Sequence, residues 1–139
     1  MGQQVKEVMT AGPITLDQDA SLAEAARVMR DRGIGDVIVV EGDDAAGIVT
    51  DRDIVIRGVA EGADPNKTRL GQVVSGDLTS VAPDDPVERA IELMREKAVR
   101  RLPVLEGGKP VGVVSLGDLA IQQDEGSVLA DISVAPDDR

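Results

Sequence analysis

The chain has 139 residues, 42% of them hydrophobic, and a net charge of −11 from 26 acidic and 15 basic side chains. It contains no Cys, His or aromatic residue, which excludes disulfides, thiolate or imidazole catalysis and zinc sites built on Cys or His. An acidic domain without aromatic rings is poorly suited to nucleic acid or anionic membranes, and without a membrane-length apolar run or signal-peptide stretch we expect a cytoplasmic protein.

The chain contains an internal repeat with a period of 65 residues. Residues 5–57 align with residues 70–122 without a gap and share about a dozen identities, with apolar positions matching between them. Such self-similarity indicates one structural unit present twice. The predicted organisation is repeat 1 at 5–60, a polar linker at 61–69, repeat 2 at 70–123 and an acidic tail at 124–139.

Each repeat opens with a predicted short strand and a helix. The strand is expected at Ile14–Leu16 in the first repeat and at Leu78–Val81 in the second. Ser21 begins a capping box for the first helix. In the second repeat, Asp85–Pro86 places an acceptor at the cap and Pro at the first helical position.

The rest of each repeat reads as a hairpin followed by a second helix. Gly33 is expected to end the first helix, and Ala98 stands at the corresponding position of the second repeat. The predicted strands and second helices are Val37–Val40, Gly47–Val49 and 51–60 in the first repeat, and Leu102–Leu105, Val111–Val114 and 116–123 in the second. A unit of this size buries too little apolar surface alone. We therefore predict an α+β fold of two pseudo-symmetric β-α-β-β-α repeats packed sheet to sheet.

Each repeat also contains one short phrase, GIVTDRD in the first and GVVSLGD in the second. As helix caps, Thr50 and Ser115 would each be followed three residues later by an acid, Asp53 or Asp118. As a binding site, the same helix start offers N–H groups and a hydroxyl to a phosphate, and an aspartate that accepts hydrogen bonds from ribose hydroxyls. The Gly before the strand would let a ligand approach the backbone. The two interpretations are compatible.

The tandem β-α-β-β-α pattern, both terminal phrases and the Arg-Leu-Pro-Val at 101–104 resemble a CBS-domain pair, or Bateman module, over residues 5–123. The stretch TDRDIVIRGVAEGADPN further resembles the small stand-alone bacterial hypoxic response proteins. This resemblance implies a non-enzymatic regulatory sensor that binds AMP, ADP, ATP or S-adenosylmethionine between its two repeats. It also implies a homodimer.

The resemblance further assigns site residues. It implies a ribose contact from Asp53 in one site and from Asp118 in the other, with Thr50 and Ser115 facing phosphate. The adenine opposite Asp118 would contact Pro13, Ile14, Ile34 and Gly35, and the adenine opposite Asp53 would contact Leu78, Thr79, Val99 and Arg100.

The two copies differ where the phosphate would lie. Arg100 and Arg101 precede the second strand of repeat 2 and suit a phosphate, whereas repeat 1 has Gly35 and Asp36, and an Asp repels phosphate. We therefore expect a nucleotide in the Asp118 site and a weaker or empty Asp53 site. The alternative is that the arginines are surface charges that balance the acidic background.

The competing function is a ligand-independent, stress-associated scaffold or interaction module, in which both phrases only cap helices. We expect no effector domain to be fused to the repeats, so output would pass to an unidentified protein partner or through rearrangement of a dimer. We expect no catalytic residue, no metal site and no required cofactor. The paired aspartates lie in predicted turns or the tail, where Asp is ordinary.

Overall fold

The fold, taken from a computed structural model that describes residues 2–74 and 78–123, is a mixture of helices and short strands. The predicted acidic tail, 124–139, lies outside the described residues. In chain order the elements are α1 (Val5–Val8), β1 (Thr10–Ala11), β2 (Thr15–Asp17), α2 (Leu22–Arg32), β3 (Asp36–Glu41), β4 (Asp44–Thr50), α3 (Asp51–Asp53), a π-helix (Ile54–Val59), α4 (Leu70–Val73), α5 (Val87–Lys97), β5 (Arg101–Glu106), β6 (Lys109–Ser115) and α6 (Leu116–Gln123). The predicted α+β class is confirmed, with two small sheets. No helix within these residues is long and apolar enough to cross a bilayer.

The chain divides into two compact units whose boundaries differ from those of the sequence repeats. Within the described residues, one unit lies in the range 14–78, and the other comprises residues 2–13 together with 79–123. The first residues of each repeat therefore fold with the body of the other repeat. We call the unit of residues 14–78 the first-repeat unit and the other the second-repeat unit.

The first-repeat unit is built on the sheet β2-β3-β4, in which β2 is parallel and β4 antiparallel to β3. The hydroxyl of Ser21 accepts from the backbone N–H of Glu24 at 3.1 Å, and Gly33 ends α2 with φ of 65°, so both predicted helix ends are confirmed. The face of α2 that packs on the sheet is apolar. The buried core residues are Leu22, Ala25, Met29, Val37, Val39, Val49, Ile54, Leu70 and Val73.

Helix α4, which opens the second repeat in sequence, belongs to this first-repeat core. Leu70 N donates to Ala20 O at 2.8 Å, and Gly71 N donates to Gln18 O at 2.9 Å. The side chain of Leu70 is fully buried. These contacts explain why the start of repeat 2 folds here.

Helix α1 makes the reciprocal contacts in the second-repeat unit, whose sheet has the order β1-β6-β5. Val5 N donates to Asp85 O at 2.8 Å, and Lys6 N donates to Pro83 O at 2.9 Å. Val5 is fully buried. It belongs to the core of this unit, whose other buried residues are Val81, Val87, Ala90, Leu93, Met94, Leu102, Val104, Val114 and Leu119. The two donors, Val5 and Lys6, stand at the same repeat positions as Leu70 and Gly71, 65 residues later. The hydrogen bonds of α1 are therefore equivalent to those of α4.

The predicted strand Leu78–Val81 is wrong in its extent, because only Val81 pairs with β5, as a bridge to Val104. In the first repeat the corresponding pairing uses the N–H groups of Ile38 and Gln18. The second repeat has Pro103 and Pro83 at these positions, and proline has no N–H to donate. Two hydrogen bonds of the longer strand pairing therefore cannot form.

The start of α5 also differs from its prediction. Pro86 is the N-cap, and the Asp85 carboxylate accepts from Ala82 N at 2.8 Å instead of capping the helix. Val87 N donates to the carbonyl of Gln3 at 3.0 Å, so backbone from the leading segment satisfies this helical N–H. Ala98 ends the helix with φ of 56°, a left-handed conformation that favours glycine.

The second helix of repeat 1 begins at Asp51 as predicted, but it changes from an α-helix to a π-helix at Ile54. After α3 the chain continues as a π-helix, in which Ala60 N donates to Val55 O at 2.8 Å, five residues back. The Arg57 guanidinium donates to Val73 O at 3.0 Å and so satisfies a carbonyl at the end of α4. The corresponding helix of repeat 2, α6, is α-helical over its predicted range.

We predict that Leu70→Ala lowers the free energy of unfolding of the first-repeat unit by about 2–5 kcal/mol, because it leaves a cavity in the core that α4 completes. Urea denaturation followed by circular dichroism measures this loss. Val59→Ala is the control, because Val59 is 62% exposed in the same unit and its truncation should cost within about 0.5 kcal/mol. Equal, small effects of both substitutions would show that α4 does not complete this core.

Candidate functional site

The phrase of the first repeat folds as the junction between β4 and α3. Thr50 is the N-cap; its Oγ1 accepts from Asp53 N at 3.0 Å, and its own N–H donates to Asp53 Oδ2 at 2.9 Å. Both side chains are half-buried. The two bonds form a reciprocal capping box that satisfies two backbone donors at the helix start.

The phrase of the second repeat forms the same arrangement between β6 and α6. Ser115 Oγ accepts from Asp118 N at 3.1 Å, and Ser115 N donates to Asp118 Oδ2 at 3.0 Å. Both side chains are again half-buried. The capping interpretation is therefore confirmed in both repeats, while the ligand-binding interpretation stays a prediction.

In the second repeat, strand pairing places the two arginines that were predicted to face a phosphate next to the capping box. Arg101 lies opposite Ser115 in the β5–β6 pairing, and Leu116 N donates to Arg100 O at 2.8 Å. One end of this sheet therefore carries Arg100, Arg101, Ser115 and Asp118 together.

The corresponding end of the other sheet has the same backbone and different side chains. Asp36 lies opposite Thr50 in the β3–β4 pairing, and Asp51 N donates to Gly35 O at 2.9 Å. Gly35, Asp36, Thr50 and Asp53 therefore lie together. The two ends differ mainly in charge.

Each aspartate has further capacity to accept hydrogen bonds. Only Oδ2 takes part in the capping box, and within the described part of the chain Oδ1 of Asp53 and of Asp118 accepts none. Ionised carboxylates offer about four acceptor positions over two oxygens. A pair of neighbouring hydroxyls, such as those of ribose, matches this remaining capacity.

The predicted adenine contacts divide between the two units. Ile14, Ile34, Gly35 and Leu78 lie in the unit of Thr50 and Asp53, whereas Thr79 and Val99 lie in the unit of Ser115 and Asp118. Ile14 O accepts from Ile38 N at 3.1 Å at the start of β2, and Val99 is 37% exposed after α5. The predicted combination of Asp118 with Ile14 and Ile34 joins residues of different units and stays a prediction.

Gly112, the first residue of the second phrase, has a structural role within the chain. A Cβ at Gly112 would lie 2.6 Å from Met9 Sδ and 2.9 Å from Thr10 O, which come from the segment containing β1. Gly112 is therefore needed for the close approach of β1 to β6, where Ala11 lies opposite it. The suggested role in admitting a ligand is wrong for Gly112.

An exposed apolar surface follows the first capping box and was not predicted from the sequence. On the π-helix, Val55, Ile56 and Val59 are 54%, 48% and 62% exposed. The signal in the sequence is the run IVIRGV directly after TDRD, in which one Arg interrupts the apolar residues. In residues 2–74 and 78–123, no three His, Cys, Asp or Glu side chains come together as a metal site.

Comparison with known proteins assigns this chain to a family. The family model described as CBS domain matches residues 5–58 and 70–123, which are the two repeats. The chain belongs to the CBS domain family. The tandem arrangement and the resemblance deduced from the two phrases are thereby confirmed.

Two relatives match this chain over most of both lengths. The CBS domain-containing protein YhcV of Bacillus subtilis is 38% identical over 133 residues, covering 93% of this chain and 94% of the relative. Hypoxic response protein 1 of Mycobacterium tuberculosis is 33% identical over 125 residues, covering 89% of this chain and 87% of the relative. The expected similarity to hypoxic response proteins is therefore confirmed.

Solved structures share the fold. The crystal structure of Hypoxic Response Protein I with two coordinated zinc ions matches with a TM-score of 0.80 at 33% identity, covering 85% of this chain and 97% of that one. The CBS domain pair of protein MJ0100, in complex with 5′-methylthioadenosine and S-adenosyl-L-methionine, matches with a TM-score of 0.75 over 86% of this chain and 94% of that one. At 24% identity, the second likeness concerns the fold alone.

We predict that, without ligand, Asp118→Ala lowers the free energy of unfolding by about 0.5–2 kcal/mol, because it removes the acceptor for Ser115 N. Asp118→Asn keeps an acceptor of nearly the same shape and should cost less. The urea midpoints of the two variants measure the difference. Equal midpoints for Ala, Asn and wild type would contradict a stabilising role of the box.

Proposed function

We propose that this chain is a non-enzymatic regulatory sensor that binds an adenosine-containing ligand at the sheet end of its second repeat. The observation that carries this proposal is the position of Arg100 and Arg101 directly beside the capping box of Ser115 and Asp118 in a CBS domain. This end combines acceptors suited to a sugar with cations suited to a phosphate.

In the proposed complex, Asp118 binds the ribose. Its Oδ2 stays bonded to Ser115 N, which holds the carboxylate in one orientation, and its Oδ1 accepts from the ribose hydroxyls. Because the carboxylate is already ordered in the free protein, little side-chain entropy is lost when the sugar binds.

The phosphate lies on the other side of the same capping box. Ser115 Oγ accepts from Asp118 N, so its O–H group is left to donate to a phosphate oxygen. Arg100 and Arg101 supply the charge, and a guanidinium can bind two phosphate oxygens at once. The adenine would contact aliphatic side chains, because the chain has no aromatic residue.

The first repeat supplies a second candidate site with Thr50 and Asp53. Its capping box has the same geometry as the box of the second repeat. Asp36 takes the place of an arginine there, so we propose that this site binds a nucleotide more weakly or not at all.

The regulatory role follows from what the chain offers chemically. It has no imidazole or thiol, and its sugar-binding acids are engaged in caps rather than arranged as an acid–base pair. A sensor of this kind passes its state on through a second copy of the chain or another protein, so we propose a homodimer that reports to a protein partner. The name of the mycobacterial relative supports a role in a stress response.

A ligand-independent scaffold is the second candidate function. It is favoured by the completeness of both capping boxes without any ligand. Under this alternative, Asp118 contributes only to stability, and no adenosine compound changes the unfolding temperature.

We predict that a saturating ligand, AMP, ATP or S-adenosylmethionine, raises the unfolding temperature by an amount on the order of 5–10 °C. A ligand at a hundred times its dissociation constant adds about 2.7 kcal/mol to the stability of the state that binds it. Thermal unfolding of wild type with each compound measures the shift. No shift with any of the three at millimolar concentration would reject the sensor and favour the scaffold.

The site is located with two matched variants. Asp118→Asn keeps a cap acceptor and removes the charge that the ribose contact uses, so the ligand-dependent shift should disappear. Asp53→Asn is the same change in the first repeat and should leave most of the shift intact. A shift lost only in Asp53→Asn would place the working site in the first repeat.

A further inference from the structure

The helical segment after the first capping box is buried on one side and exposed on the other. Gly58 is buried against α2, where a Cβ would lie 2.6 Å from Leu22 Cδ1, and Ile54 belongs to the same core. Arg57 is held toward α4 by its hydrogen bond to Val73 O. The segment is therefore anchored on its inner side, and its outer side faces solvent in a fixed orientation.

The outer side is apolar and has one charge at each end. Within the described residues five large hydrophobic side chains are exposed, and three of them, Val55, Ile56 and Val59, lie here. Arg52 precedes them at helical spacing, since residues three and four apart are neighbours on a helix. Glu61 follows the end of the helix, and both charged residues are exposed. We call these five residues the first-repeat face.

The sequence of the second repeat lacks this face. At the positions 65 residues later, the two valines correspond to Ala120 and Asp124, and the two charged residues correspond to Gly117 and Gly126. An apolar surface flanked by opposite charges is therefore a property of the first repeat alone, whereas the capping box is common to both. The face needs an explanation other than the one that applies to both boxes.

We propose that the first-repeat face binds the same face of a second copy of the chain across a two-fold axis, with the two helices antiparallel. Such a contact requires a surface that is complementary to itself. In the antiparallel arrangement, Val55 of each copy contacts Val59 of the other, and Arg52 of each copy lies beside Glu61 of the other. The inference deepens the homodimer of the proposed function, because it names the repeat and the residues that form the contact.

Charge favours a second copy at this place. The chain carries −11, so two copies repel each other over most of their surfaces, whereas residues 51–61 hold three carboxylates and two guanidiniums. Within residues 2–74 and 78–123, neither Arg52 nor Glu61 forms an ion pair. The antiparallel contact supplies a partner of opposite sign to both residues twice. An anionic bilayer would repel the chain without offering such pairs.

The composition of the face matches the anatomy of a protein interface. An interface of ordinary size buries about 800 Å² per partner and has an apolar centre with a polar rim. Val55, Ile56 and Val59 form the centre here, and the two charged residues belong to the rim. The dimer should dissociate on dilution. Unfolding measurements on the dilute monomer are therefore unaffected by this contact.

The first test is sedimentation equilibrium of the full chain without ligand. Wild type should show a reversible equilibrium between monomer and dimer. Val55→Asp should raise the dissociation constant about 100-fold or more, because it buries an unpaired charge in the apolar centre. Leu116→Asp is the matched control, because Leu116 is 40% exposed in the second-repeat unit and should leave the dimer intact.

A charge exchange tests the antiparallel orientation. Arg52→Glu places two carboxylates together at each end of the contact and should raise the dissociation constant about 10-fold. Adding Glu61→Arg restores opposite charges and should return the constant to within about threefold of wild type. Parallel helices would place Arg52 beside its own counterpart, so Arg52→Glu with Glu61→Arg would give no such recovery.

Cross-linking tests which surfaces meet. The chain contains no Cys, so a single introduced thiol can form a disulfide only with a second copy. Ile56 lies close to the proposed two-fold axis, and a disulfide requires Cα atoms within about 7 Å. Ile56→Cys should therefore form a covalent dimer under mild oxidation, and Leu116→Cys should form much less. A contact between the first repeat of one copy and the second repeat of another would abolish this difference.

The outcomes separate this inference from the nucleotide sensor. Unfolding midpoints show whether each variant is folded, and if Val55→Asp is not, the charge exchange and the cross-link decide. A wild type that stays monomeric up to about 1 mM, or a dimer that a folded Val55→Asp leaves intact, would overturn the inference. Either result leaves ligand binding in place, because the ligand-dependent shift in unfolding temperature is measured separately.

Discussion

The exchange of leading segments is the constraint on which the rest of this structure depends. Val5 completes the core of the second-repeat unit, and Leu70 completes the core of the first. Both segments are held by main-chain hydrogen bonds at corresponding positions, such as Val5 N to Asp85 O and Leu70 N to Ala20 O. A segment used in this way cannot serve its own repeat, so neither repeat completes its core from its own residues. A ligand that stabilises one unit would thereby also favour order in a segment of the other repeat.

The proposed function uses the atoms of the capping boxes twice, once to stabilise a helix start and once to bind a sugar. The bond from Ser115 N to Asp118 Oδ2 holds the carboxylate still, and an ordered acceptor is what a sugar hydroxyl needs. The same argument applies to Thr50 and Asp53. The stability of the ligand-free protein is therefore the same for both roles, and the charge around each box is the more informative difference between the repeats.

Much of this architecture could be predicted from the sequence because local signals and the repeat agree. The apolar runs located the central strands, Ser21 and Gly33 marked the ends of α2, and the alignment of the two copies located both capping boxes. The family followed from the same features. These properties depend on residues close together in the chain.

Most of the features that were not predicted depend on residues far apart in the chain. α1 and α4 have only four residues each, too few for a periodic pattern, and are held by backbone from the other repeat. The need for Gly112 arises from Met9 and Thr10, about a hundred positions earlier in the chain. The π-helix differs from an α-helix by one residue in its hydrogen-bond spacing, which composition does not reveal.

The prolines that shorten the first strand of repeat 2 also affect how its sheet meets other chains. β5 is an outer strand of the sheet β1-β6-β5, and among residues 2–74 and 78–123 only Val81 pairs with it on its outer side. An outer strand with free N–H groups is a template on which a foreign strand can add, a common route to aggregation. Pro103 removes a donor from the middle of that edge, and the bridge at Val81 occupies the donor of Leu105. The prolines that deprive repeat 2 of a regular first strand therefore also leave β5 with fewer backbone donors for pairing with a strand of another chain.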